Sequence, residues 1–323
     1  MQSRPSTLWL AIALMMGAGA TAQAAATRDQ ASSASEAAQG VQMVPTGKGY
    51  GVPAKAGQFV PQVESNLANG IDYHGGPVMK AKGGQNIYIL WYGNWATQSP
   101  TGKAIVTDMI KNITGTPYYN INTTYYQNNA PAKNVKNKVN LKTQIDDVNK
   151  SLGSALSDAQ IRQLVADAIT AGKFPADKNG IYFVLTTKDV NATSGFCTQY
   201  CGWHTHTSVL STDIKYSFVG DAARCIGSCA AQSASSPNDN PGVDGMASVI
   251  MHEMEEAASD PDLNAWWQTS TGMENADKCA WTFGTQQTAP NGSKYNVQWG
   301  PRKFLIQQNW VNANGGKCAM SYP

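Results

Sequence analysis

Two hydrophobic periods run along this chain, and each predicts its own kind of element. Residues 86–92 (NIYILWY) form an unbroken β-branched and aromatic run, which predicts a buried strand. Residues 181–186 (IYFVLT) predict a second, and 203–210 and 215–219 predict further strands. In 101–113 the apolar positions are Ile105, Val106, Met109, Ile110 and Ile113, which is helical spacing. Residues 157–171 predict another helix. Ser157 and Gln160 supply a capping box, and Leu156 with Ile161 a hydrophobic staple. A third helix is predicted over 243–259, with a buried stripe of Met246, Val249, Ile250 and Ala257. Asp244 is placed to cap it and Asp260-Pro261 to end it. Residues 117–142 read as loop and weak strand, 233–242 as loop, 266–289 as irregular chain and 295–308 as short strands. This order predicts one α+β domain, a mixed sheet packed with helices, with an irregular C-terminal part.

The N-terminus adds a compartment. Arg4 and the terminal amine precede a short apolar run over 8–19, and Ala22-Gln23-Ala24 is a small-x-small cleavage signal. That predicts a secretory signal peptide over 1–24. Residues 25–65, rich in Ala, Ser, Gln and Gly, have no clear period and predict a flexible leader before a domain over 66–323. The six cysteines agree with export: Cys197, Cys201, Cys225, Cys229, Cys279 and Cys318. An even count predicts three disulfides. Cys279 is expected to pair with Cys318, and the two C-x3-C units with each other or internally. The rival is a zinc–thiolate site, which the C-x3-C spacing and an oxidising compartment disfavour. Charged residues are only 14% of the chain and the net charge is +2, so nucleic acid is not an expected partner. No apolar run reaches the roughly 18–20 residues of a membrane span, so no integral membrane association is expected.

Candidate chemistry gathers in the third helix. His252 and Glu256 are four residues apart, so both lie on one helix face with Cβ atoms roughly 5–6 Å apart. An imidazole and a carboxylate at that spacing bind one metal ion. Glu253 projects about 100° further round the helix, where a carboxylate serves as the catalytic base toward an activated water. The pattern is H-E-x-x-H with glutamate in place of the second histidine. By itself it also reads as a solvated His–Glu pair. A third ligand is expected downstream: Glu274 first, then Asp277, then Asp260, whose plainer role is to end the helix. His204 and His206 fall on one side of a strand, as a second imidazole cluster, a contribution to the metal or ordinary strand histidines. His74 precedes the first strand and is placed to bond a turn. No G-x-S-x-G, P-loop or G-x-G-x-x-G motif is present.

A set of short motifs in fixed order carries a family resemblance. They are Tyr73-His74-Gly75-Gly76-Pro77, Ile89-Leu90-Trp91-Tyr92-Gly93-Asn94-Trp95 and Gly195-Phe196-Cys197 through Cys201-Gly202-Trp203-His204. Phe218-Val219-Gly220, Gly242-Val243-Asp244-Gly245-Met246 through His252-Glu253, Asn264-Ala265-Trp266, Glu274 to Cys279 and Arg302-Lys303-Phe304-Leu305 follow. Across roughly residues 70–320 the chain resembles the EXORDIUM, or phosphate-induced protein 1, family. That resemblance implies a secreted, often wall-associated protein. The long Ala/Ser-rich leader and the shorter segment between Cys279 and Arg302 depart from plant members, so their growth signalling is not carried over. The helix motif and the 274–279 segment also resemble zincin-type metallopeptidases. That likeness implies a zincin-like fold with His252, Glu256 and Glu274 as ligands, Glu253 as base and zinc as the cofactor; the carboxylate-rich set also suits calcium or manganese. The expectation is an exported metal-dependent peptidase or hydrolase acting on peptide, protein or cell-wall polymer. The alternative is a non-catalytic extracellular binding or signalling module.

Overall fold

The computed structural model describes residues 43–49, 52–53 and 70–323. The expected signal peptide and most of the expected leader lie outside these residues.

Five strands build the central sheet: β1 Gln85–Tyr92, β2 Val139–Asp147, β3 Gly180–Thr186, β4 Gly202–Val209 and β5 Thr212–Gly220. Their spatial order is β2-β1-β3-β5-β4. The first four in that order run parallel, and β4 closes one edge antiparallel to β5. The β4–β5 hairpin turns on Leu210 and Ser211, both at positive φ, the twist a two-residue connection needs. Helices α1 Gly102–Asn112, α2 Asp158–Thr170 and α3 Pro241–Ser259 cover the sheet.

The unbroken apolar runs of β1 and β3 follow from burial on both faces. Ile87, Ile89, Trp91, Ile181, Phe183 and Leu185 point into one core with α1 and α3. Their alternates Tyr88, Leu90, Tyr92, Tyr182 and Val184 point into a second core with α2. Residue period 2 thus sends each strand to both layers. At α2 the capping box is complete: Gln160 N–H donates to Ser157 Oγ at 3.2 Å and Ser157 N–H to Gln160 Oε1 at 2.9 Å.

Four expectations need correction. The nine-residue β2 begins in the weak-strand region and runs beyond it to Asp147, and its register shifts between Ile87 and Ile89 of β1. This bulge and the exposure of an edge strand break the alternation that would have revealed it. Helix α3 starts at Pro241 and is capped by Asn240, whose side chain accepts Val243 N–H. Asp244 instead holds the preceding loop through Asn238. Nor does α3 carry a single buried stripe: all its residues except Pro241 and His252 are buried. A helix covered on every side lies in the core of its domain. Finally, the irregular stretch includes Trp266–Trp267, which pairs with Asp72–Tyr73.

All six cysteines are paired, as Cys197–Cys225, Cys201–Cys229 and Cys279–Cys318. The two C-x3-C units therefore join each other. These bonds fit an oxidising, extracellular setting. Among the described residues no helix is long and apolar enough to cross a membrane.

The part of the expected leader that is described is attached to the domain. Met43 N–H donates to Thr269 O at 2.9 Å, and Trp267 Nε1–H to Met43 O at 2.9 Å. His204 N–H donates to Gly47 O at 3.0 Å. Lys48 Nζ reaches Asp158 at 2.5 Å and Ser194 at 3.2 Å.

Candidate metal centre

Helix α3 lies against the edge strand β4. The approach is close because Gly202 opens β4: a Cβ there would stand 2.7 Å from Val249 Cγ1 and 3.0 Å from Glu253 Oε1. His204, two residues on, points to the same side and is fully buried against the helix. His206 continues that side but is exposed; it pairs with Asp213 at 3.1 Å and takes no part in the centre.

Helical spacing puts His252 Nε2 3.0 Å from Glu256 Oε1. The other oxygen of Glu256 lies 3.4 Å from His204 Nδ1, and Glu253 Oε2 lies 3.5 Å from the same nitrogen. The third element is the 274–277 turn, which folds onto the end of α3. Asp277 N–H donates to Glu256 Oε1 at 3.1 Å, Glu274 N–H to Asp277 Oδ2 at 3.2 Å and Asn275 Nδ2 to Glu255 O at 3.2 Å. The Cys279–Cys318 disulfide ties down its far side. The turn brings Asp277, not Glu274, to His252, at 3.4 Å from Nε2. Glu274 is instead 3.6 Å from His204 Nε2. The expected trio of His252, Glu256 and Glu274 is thus divided between two imidazoles that share Glu256. Asp260 is spent on the helix-ending turn, where its Oδ1 accepts the N–H groups of Asn264 and Ala265 at 2.7 and 2.6 Å.

Burial makes this cluster electrostatically demanding. Glu253, Glu256 and Glu274 are buried, and Asp277 nearly so. Burial pushes the Glu253 carboxyl up to about 7 and lifts Glu274 well above the ordinary carboxylate range. Burial would raise Glu256 as well, but His252 and His204 beside it hold it at about 2. Burial would lower both imidazoles; the carboxylates around them overcome it and raise both well above the ordinary value. Yet neither nitrogen of His204, neither oxygen of Glu274, nor Glu253 Oε2 has a hydrogen bond among the described residues. Two imidazoles and four carboxylates aimed at one another, with His204, Glu274 and one oxygen of Glu253 left unbonded, are a donor set that fits a divalent cation.

Glu255, between the two motif glutamates, faces elsewhere. Tyr118 Oη lies 2.7 Å from Gln307 O and 3.1 Å from Glu255 Oε2. Burial holds the Glu255 carboxyl well above the ordinary carboxylate range, although its hydrogen bond with Tyr118 acts in the opposite direction.

The centre opens on a cleft of about 330 Å³ with His252, Glu253 and Asp277 on its wall. Tyr200, Met273 and Trp281 supply apolar surface, and Lys48 and Gly49 of the N-terminal segment form part of the lining. Trp281 is 45% exposed, unusual for a tryptophan and fitting for the lip of a binding site. A wider hollow of about 790 Å³ shares Cys197 and Thr198 with this cleft but has only Lys188, Asp189 and Arg224 as charged lining. Of these cleft features, Trp281 and Lys48-Gly49 carry no motif signal in the sequence, and Gly202 lies within a quoted motif without its packing role being legible there.

Residues 71–320 match the phosphate-induced protein 1 conserved region. Protein EXORDIUM-like 5 of Arabidopsis thaliana is 31% identical over 291 residues, covering 79% of this chain and 78% of the relative. Protein EXORDIUM-like 3 of the same plant is 31% identical, covering 76% and 81%. Protein PHOSPHATE-INDUCED 1 of Nicotiana tabacum is 28% identical, covering 68% and 74%. No solved structure matches. With the conserved region spanning nearly all of the described domain, the chain belongs to the phosphate-induced protein 1, or EXORDIUM, family.

Proposed function

We propose that the chain is an exported, zincin-like, metal-dependent hydrolase acting on peptide or related extracellular polymer. The observation that carries this reading is the open side of the centre, where His252, Glu256 and Asp277 converge next to a cleft that Glu253 also lines. His252, Glu256 and Asp277 would hold the cation, with zinc the first expectation from a mixed imidazole and carboxylate set. A divalent ion there supplies Lewis acidity toward a substrate carbonyl and toward water. Glu253 stands one residue from His252, on the cleft side, where its carboxylate receives the proton from the attacking water and returns it to the leaving group. Trp281 and Tyr200 offer flat apolar surface to a polymer chain, while Asp277 N–H holds Glu256 in orientation.

The test is metal content by plasma mass spectrometry on mature chain from an oxidising compartment, purified without chelator, beside His252→Ala. Bound zinc in the wild type that is lost from the variant is the expected result. No metal in either protein after zinc reconstitution would sink the proposal and leave a binding module with a buried ionic cluster.

A further inference from the structure

We propose that the centre is dinuclear: a second divalent cation lies deeper, on His204, Glu256 and Glu274, with Glu256 shared between the two ions. This rests on the reading that His252 and its neighbours bind a metal, and it adds a site to that one.

One ligand atom from each of His204, Glu256 and Glu274 lies within 4.8 Å of the others, and a second such group is His252, Glu253 and Glu256. Glu256 belongs to both. Its Oε1 faces His252 and its Oε2 faces His204, the divergent disposition of a bridging carboxylate. Ligands about 2.0–2.2 Å from a tetrahedral ion stand roughly 3.3–3.6 Å apart. An imidazole gives one ion a single nitrogen: His204 Nδ1 lies 3.4 Å from Glu256 and Nε2 3.6 Å from Glu274, so either nitrogen stands one such edge from a carboxylate.

The side chains of His204 and Glu274 are fully buried. Both nitrogens of the one and both oxygens of the other lack hydrogen bonds among the described residues. A buried carboxylate left without a bond is costly, more so when it is charged. An ion at His252 alone leaves that cost in place. A protonated His204 is the competing way to balance Glu274, but an imidazolium would donate from both nitrogens. At 3.4–3.6 Å from the carboxylates it makes no such bonds. Charge agrees: Glu253, Glu256, Glu274 and Asp277 carry four negative charges when ionised, which two divalent ions offset with both histidines neutral.

The mature protein, stripped of metal and confirmed folded by circular dichroism, is titrated with Mn²⁺ alone and followed by metal analysis and electron paramagnetic resonance. Two equivalents are expected, with an exchange-coupled signal, because carboxylate-bridged ions stand about 3.5–4 Å apart. Glu274→Gln, of equal shape, is expected to reduce binding to one equivalent and restore the isolated six-line spectrum. A wild type that saturates at one equivalent with a six-line spectrum overturns the second ion and leaves the hydrolase proposal standing. Two equivalents without coupling, or a second equivalent untouched by Glu274→Gln, also overturn it. No binding of Mn²⁺, and none of Zn²⁺ in a parallel titration, removes both readings together. The wild-type count and spectrum decide the matter even if Glu274→Gln does not fold.

Discussion

Glu256 stands between two imidazoles, with Oε1 3.0 Å from His252 Nε2 and Oε2 3.4 Å from His204 Nδ1. It thereby joins helix α3 to the edge strand β4 through one side chain, and Asp277 N–H adds the downstream turn. Three separate chain segments depend on this carboxylate. Glu256→Gln is expected to weaken zinc binding by at least about 100-fold, since even outer partners of metal ligands are worth 10–100-fold. Competition with a fluorescent zinc chelator measures it; unchanged affinity would remove Glu256 from the ligand set.

Glu253 lines the cleft, and the proposed function makes it the base and not a ligand. Glu253→Gln is expected to reduce hydrolysis about 10²–10⁴-fold, the usual worth of a positioned general base, while the metal content stays at the wild-type level. Turnover on a peptide library together with metal analysis checks this. Full activity in the variant would rule out the assigned role.

Gly202 is where the strand lets the helix in. A Cβ there meets Val249 Cγ1 at 2.7 Å, with Glu253 Oε1 and Phe218 O at 3.0 Å. Backbone and a buried branched side chain cannot all yield, so Gly202→Ala is expected to cost about 1–3 kcal/mol. Urea unfolding reads the loss, and a stability equal to wild type would show that α3 shifts freely on β4.

The N-terminal segment is held at Gly47, at φ +70°, where a Cβ would fall 1.9 Å from His204 O. Gly47→Ala is expected to release residues 43–49 and to open them to limited proteolysis, whereas Lys48→Ala is expected to cost under about 1 kcal/mol because its ion pair is partly exposed. Equal protease resistance in wild type and Gly47→Ala would contradict this contact.

His74 is buried beneath Trp267, stacked at 3.4 Å, with Nε2 3.3 Å from Trp267 O. Burial lowers its pKa to about 4, below the 6.5 of an unfolded histidine. The neutral ring therefore contributes stability that is complete above pH 6.5 and is lost as pH falls toward 4. Between pH 7 and 4.5 the loss is about 2 kcal/mol from this group. His74→Phe keeps the stack without a titrating ring, and the difference between its urea stability and that of the wild type is expected to narrow by that amount across this window. A difference that does not change with pH would show that His74 does not titrate there.

What depends on neighbours along the chain was legible in the residues alone. The runs at 86–92 and 181–186 demanded burial on both faces, and β1 and β3 have it. Ser157 and Gln160 specified the start of α2, and four-residue spacing placed His252 beside Glu256. Cysteine count and context predicted three disulfides, though whether the C-x3-C units joined each other was open. Tertiary structure decided the rest. The bulged edge strand β2 is a strand only because β1 lies beside it. His204 became a central member of the centre while His206, two residues away, stayed in solvent, because α3 covers only one of them. Asp277 rather than Glu274 reached His252 because the 274–277 turn is set by Glu256, Asn275 and the Cys279–Cys318 bond. Local spacing is written in the helical repeat; the choice among distant carboxylates follows from how a turn twenty residues downstream folds back on the helix.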